Sequence, residues 1–182
     1  MKIENMIEEV ELAEGVTAEI AGHTLKFKGP KGEVEKKFAF PKIEIKQQDN
    51  KMIISSKNGT KREKTAMGTF KAHMKNMMKG VLEGHIYKLK ICSGHFPMNV
   101  AIKGKEFNVS NFLGEKTPRK LDVIEGVSVK IEGTDVIVEG INKEATGQTA
   151  ANIELLTKIK GRDRRIFQDG IYIVHKDGKD LD

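Results

Sequence analysis

The stretch HTLKFKGPKGEVEKKFAF, His23 to Phe40, decides how the rest of the chain is read, because KEFNVSNFLGEKTPRKLDV, Lys105 to Val123, answers it. Each follows a glycine, Gly22 or Gly104, and opens on a short alternating run. Each then carries a glycine followed by glutamate, Gly32-Glu33 or Gly114-Glu115, at an offset of 82 residues. Working outward, Ile43 and Ile45 answer Val127 and Val129 at an offset of 84, and Ile53-Ile54 answers Val136-Ile137 at 83. GTFKAHM, Gly68 to Met74, lies opposite GQTAANI, Gly147 to Ile153, at 79. Features that recur in one order, with small length changes at turns, are the mark of an internal duplication.

The period-two runs Leu25/Phe27, Phe38/Phe40, Phe107/Val109 and Val127/Val129/Ile131 predict strands with one buried face. Gln48-Asp49-Asn50 and Glu132-Gly133-Thr134 separate paired runs closely enough for antiparallel hairpins. Each copy closes on a helix. Thr60 to Glu63 has capping-box spacing ahead of Ala66, Phe70, Met74, Met77 and Met78, whose intervals of three and four describe a buried stripe. In the second copy Asn142 is the expected N-cap, and Ala150, Ile153, Leu156 and Ile159 the stripe. The predicted class is α+β: two tandem similar domains, residues 1–81 and 82–182, each an antiparallel sheet packed against one helix. The segment between them, GVLEG at Gly80 to Gly84, is short for a linker.

With 38% hydrophobic and 32% charged residues over 182 positions, the composition is that of a folded chain, and no apolar run approaches the roughly 20 residues of a bilayer span. An acidic N-terminus, MKIENMIEEVELAE, does not resemble an export signal, and the single Cys92 suits a reducing cytoplasm. The net charge of +6 is unevenly spread: −5 over residues 1–19, +10 over residues 20–81 and +4 over residues 158–168. Such segregation predicts basic faces that attract polyanions, nucleic acid first among them, against the plainer reading of a solvated lysine-rich surface.

NFLGEKTPRK, Asn111 to Lys120, admits three readings: a phosphate-cradling enzyme loop, a solvated hairpin tip, or a surface laid on a nucleic-acid backbone. The first lacks the GxxxxGK[ST] spacing and is followed by a strand rather than a helix. Cys92 and His95 have a Cys-x-x-His spacing, but the other histidines, at 23, 73, 85 and 175, are too scattered to complete a structural zinc site. Cys92 or Ser93 with His95 lacks any local nucleophile signature. No metal, cofactor or catalytic residue is therefore assigned. KIKGRDRRIF, Lys158 to Phe167, places five cations within eight residues, more than a helix C-terminus requires, and the second half of the chain holds Arg119, Arg162, Arg164 and Arg165. Arginine's planar fork suits bidentate phosphate contacts and stacking on unpaired bases, so this segment is the expected RNA contact; a solvated turn is the alternative.

HFPMNV (His95–Val100), NFLGEK (Asn111–Lys116), GQTAANIE (Gly147–Glu154) and RRIFQDGIY (Arg164–Tyr172), in that order and spacing, closely resemble the archaeal and eukaryote-like branch of the large-subunit ribosomal protein six family; GPKGE and GTFKAHMKNMMKGV in the first half are similar too. The resemblance covers about residues 7 to 175. It implies a non-enzymatic structural constituent of the large ribosomal subunit, built as two similar sheet-plus-helix domains, cytoplasmic on the ribosome and away from membranes. It further implies binding to large-subunit rRNA, chiefly through the second domain, near the stalk base and the sarcin-ricin loop. Neighbouring large-subunit proteins, those of the stalk base among them, are expected partners, with translation factors nearby. The residues expected to face rRNA are Lys103, Lys105, Asn111, Phe112, Lys116, Arg119 and Lys120 around the NFLGEK hairpin, and Lys158, Lys160, Arg162, Arg164, Arg165, Tyr172 and Lys176 after the second helix.

Overall fold

A computed structural model of the chain describes residues 3–181, so Lys2 and the outermost residues of the two predicted domains, 1 and 182, lie outside it. The described chain divides into two compact units, Met1–Gly84 and His85–Asp182.

In the first unit, β1 (Ile3–Glu11) pairs with β6 (Lys51–Gly59), which pairs with β5 (Ile43–Gln48); β2 (Thr17–Ala21), β3 (Thr24–Gly29) and β4 (Gly32–Lys37) form a second antiparallel sheet. One helix, α1 (Lys61–Leu82), packs on strands of both sheets. The β5–β6 hairpin turns at Asp49-Asn50, where Asp49 takes φ +50°, a left-handed conformation that Asp tolerates because its short polar side chain hydrogen-bonds locally. The predicted capping box is present: the Glu63 carboxylate accepts from the Thr60 backbone N–H at 2.7 Å, and Thr60 Oγ1 accepts from the Arg62 N–H at 3.3 Å. These bonds satisfy donors that the first helical turn leaves open, and the Thr60 hydroxyl and N–H hold Glu63 below the usual carboxylate range. Met67, Met74, Met77, Met78 and Val81 form the buried stripe of α1. Phe70 is half-buried and meets Phe38 edge-on, with centroids 5.0 Å apart.

The second unit repeats the plan. Strands β11 (Val127–Glu132), β12 (Asp135–Gly140) and β7 (His85–Cys92) continue into β13 (Gly170–Lys176) and β14 (Lys179–Asp180), while β8 (Asn99–Lys103), β9 (Glu106–Ser110) and β10 (Arg119–Asp122) form the smaller sheet. Helix α2 (Lys143–Leu156) starts at Asn142, whose side chain accepts from the Glu144 N–H at 2.9 Å. The antiparallel sheet-plus-helix architecture of each half therefore holds, with the sheet in two pieces rather than one.

Register refines the repeat. Leu25 pairs with Lys36 where Phe107 pairs with Leu121, so the offset grows from 82 to 85 across the hairpin and the second copy's loop is three residues longer. Gly32 opens a strand, whereas Gly114 closes a 3-10 turn at Phe112–Gly114, so the two glycines do not occupy equivalent places. Met52 and Ile54 correspond to Val136 and Val138, all fully buried, at an offset of 84. The sequence pairing of Ile53-Ile54 with Val136-Ile137 is therefore one residue out, and in a strand one residue changes the face. Ile159 is buried as expected but lies beyond α2, past the C-cap Thr157.

Candidate nucleic-acid interface

Three segments meet at one end of the second unit. The first, Ser93–Met98, joins β7 to β8; the second, Asn111–Pro118, joins β9 to β10; the third, Thr157–Asp169, runs from α2 to β13. Each is fixed by a different bond. Thr157 Oγ1 accepts the Ile171 N–H at 2.8 Å and Glu154 Oε1 accepts the Ile173 N–H at 3.2 Å, tying the end of α2 to β13. The Asp169 side chain is 3% exposed and receives the Gly94 N–H at 2.6 Å, the His95 N–H at 2.9 Å and His95 Nδ1 at 2.6 Å. Burial pushes the Asp169 carboxyl up, but the His95 and Gly94 bonds outweigh it and hold the group below its ordinary value.

Arg119 supplies the third tie. Its Nη2 and Nε donate to Glu115 at 2.5 and 2.8 Å, its Nη1 donates to the Leu156 carbonyl at 2.6 Å, and its guanidinium lies 4.3 Å from the Phe112 ring centroid. These bonds hold Glu115 below the usual carboxylate range. The geometry bears on two of the expected rRNA contacts: Phe112 is 1% exposed and packs in the core, and Arg119, 26% exposed, faces protein partners and braces the loop. The extra length of the loop is what lets Phe112 fold back, with Asn111 and Leu113 in left-handed conformations at φ +59° and +49°. Asn111 Nδ2 donates to the Pro97 carbonyl at 2.9 Å, joining the first two segments.

The remaining expected residues divide by place. Lys116 lies on the second segment, Lys158, Lys160, Arg162, Arg164 and Arg165 lie on the third, and Tyr172 sits beside them on β13. Among the described residues, the side chains of Lys116, Lys158, Lys160 and Arg164 make no hydrogen bond or ion pair. Arg165 is held by Asp163 at 2.8 Å yet stays 90% exposed, and the Arg162 guanidinium covers the Phe167 ring at 4.9 Å. Lys103 and Lys105 flank the Gly104 turn at the opposite end of β9, and Lys105 pairs with Glu125 at 3.0 Å. Lys120 pairs with Glu106 at 3.2 Å. Lys176 stands opposite Tyr87, at the far end of β13 from the Cys92 edge, some 20 Å away at about 3.4 Å per residue. Lys103, Lys105 and Lys176 are not brought to the cluster.

The sequence reading missed the aromatic part. The His95 ring meets Phe167 at a tilt of 35° with centroids 4.8 Å apart, and Arg162 covers the same Phe167 ring; Phe96 and Ile166, their chain neighbours, are 42% and 64% exposed. HFPM and RRIF contain these residues, but they are brought together only by the contact between the first and third segments.

Fold and surface together define a class: a duplicated α+β protein with a rigid, arginine- and aromatic-bearing end on its second unit. The chain belongs to the ribosomal protein L6 family, whose profile matches residues 12–84 and again 96–170, once in each unit. It is 51% identical over 174 residues to the large ribosomal subunit protein uL6 of Methanococcus vannielii, covering 96% of each chain. It is 48% identical over 174 residues to the large ribosomal subunit protein uL6 of Aeropyrum pernix, covering 95% of this chain and 96% of that relative.

Proposed function

We propose that this protein is a non-catalytic structural constituent of the large ribosomal subunit in the cytoplasm, and that it binds large-subunit rRNA through the three-segment end of its second unit. The observation that carries the reading is similarity to ribosomal relatives along nearly the whole of both chains, with the family pattern falling once on each unit. Lys116, Lys158, Lys160, Arg162, Arg164 and Arg165 supply the phosphate contacts, with Tyr172 beside them. Lys103, Lys105, Lys120 and Lys176 are at most secondary contacts, because two of them are paired and three lie away from the cluster. Asn111 and Arg119 position the loop. The site lies near the stalk base and the sarcin-ricin loop, among neighbouring large-subunit proteins and close to docking translation factors, as the family resemblance implies. No helix among the described residues is long and apolar enough to cross a membrane.

The test is sedimentation of tagged protein with ribosomes in high-salt gradients, followed by titration of rRNA binding against salt. Stoichiometric travel with the large subunit is expected. Changing Arg162, Arg164 and Arg165 to glutamine should reduce the salt slope, since each phosphate contact contributes about 0.7–0.9 to it. Protein that washes off the subunit would favour an RNA-binding role away from the ribosome; an unchanged slope would move the contact to another surface.

A further inference from the structure

Between the Ser93–His95 loop and the Ile166–Tyr172 segment lies an open hollow of about 580 Å³, lined by Cys92, Ser93, Gly94, His95, Ile166, Gln168, Asp169 and Tyr172. A contact to RNA made only by a basic surface needs no such hole. Its volume lies within the roughly 300–1,000 Å³ of small-molecule sites, far too small for a duplex. We propose that it receives the base of one unpaired rRNA nucleotide, drawn out of its stack; this rests on the rRNA-binding reading above and gives it a specific point of contact.

The lining selects a base over a phosphate. Its one carboxylate, Asp169, is 3% exposed, accepts three hydrogen bonds from Gly94 and His95 and is held in its ionised form, so it repels a phosphate. No lysine or arginine lines the hole. What it presents is a mixture of backbone groups at Ser93 and Gly94, the Ser93 hydroxyl, the Gln168 amide, and the flat or apolar surfaces of Tyr172 and Ile166. That is the chemistry which reads the edge of an unstacked base and packs against its face. Cations stand beside the hole instead of within it: Arg164 lines the adjoining cavity on the other side of Tyr172, and Arg162 lies on Phe167, against which His95 is tilted. The nucleotide's sugar-phosphate chain would run over them while its base occupies the hollow, whose lining holds no lysine or arginine.

The walls are set before any ligand arrives. Asp169 fixes the Gly94–His95 backbone, and the Tyr172 hydroxyl donates to the Gln168 carbonyl at 3.1 Å. A Cβ on Gly170 would come within 3.1 Å of the Tyr172 ring, so a larger residue there would push the ring aside by a few tenths of an ångström. A pocket held in its bound shape avoids the ordering cost of forming it on contact.

The full-length protein is mixed with deproteinised large-subunit rRNA, and the rRNA is probed with a reagent that modifies exposed base edges. Wild type is expected to protect one isolated nucleotide. Ser93→Phe, which fills the hole without touching a cation, should expose that nucleotide again and weaken binding about tenfold or more, in line with losing one stacked base. The salt slope should stay unchanged. Gln168→Ala, at an exposed position with no packing role, should give a smaller loss at the same nucleotide, with the fold verified by circular dichroism. Should both variants bind as wild type does, or protect the same bases, the cavity is empty in the complex and the proposal falls while rRNA binding stands. Should wild type itself fail to bind rRNA, it is the functional reading that fails.

Discussion

At the scale of single residues, Arg119 shows how a side chain that looks made for a polyanion is used by its own fold. Its partners, Glu115, the Leu156 carbonyl and the Phe112 ring, join the loop before β10 to the end of α2, and the side chain is 26% exposed. Hydrogen bonds to charged groups contribute about 1.5–3 kcal/mol each, less where solvent reaches them. Arg119→Ala is therefore expected to lower stability by about 2 kcal/mol in urea unfolding, whereas Lys120→Ala, at a side chain 58% exposed, should change it by less than about 0.5 kcal/mol. Asp169 gives a pH dependence. Its carboxyl has an ordinary value of 3.8 and is held lower in the folded chain, so the unfolded chain takes up the proton first as pH falls. Its stabilising contribution is complete above 3.8 and is lost as pH drops through the lower folded value. Asp169→Asn should accordingly be less stable than wild type at neutral pH, with the difference shrinking below pH 3.8 in acid unfolding followed by circular dichroism.

At the scale of elements, periodicity identified strands and helices well, because alternation and the three-four stripe follow directly from backbone geometry. The N-caps Thr60 and Asn142 were legible for the same reason, each being a local side-chain bond to the helix start. Thr60→Ala should cost about 1 kcal/mol, read as a lower urea midpoint at constant slope. Burial of polar residues was not legible. Thr146 and Thr149 are as buried as Ala150, and each hydroxyl donates to a carbonyl of its own helix, at 2.8 and 2.9 Å. A stripe of apolar letters cannot reveal that. The one-residue error at Ile53 has a related cause: two adjacent isoleucines satisfy either face, and only pairing with β5 and β1 chooses between them.

At the scale of the molecule, charge blocks along the chain did not become charge blocks in space. The acidic start is β1, and its pairing with β6 and contact with α1 set Glu8 against Lys71 at 2.5 Å, and Glu9 and Glu11 against Lys51 at 3.2 and 3.3 Å. Part of the positive charge counted over residues 20–81 is thus cancelled by the stretch that precedes it. In the second unit the cations of residues 158–165 keep their exposure, because they lie on a connection between elements and meet only one acid of their own segment, Asp163. By itself the sequence determined the duplication, the α+β class, the helix starts and the segment where positive charge is densest, since all of these can be read from spacing along the chain. Tertiary structure alone decided which cations remain free, that Phe112 goes inward, and that His95, Phe167 and Asp169 assemble around a cavity. Those outcomes depend on contacts between distant residues, 37 positions apart for Arg119 and Leu156 and 74 for His95 and Asp169, which no local pattern encodes.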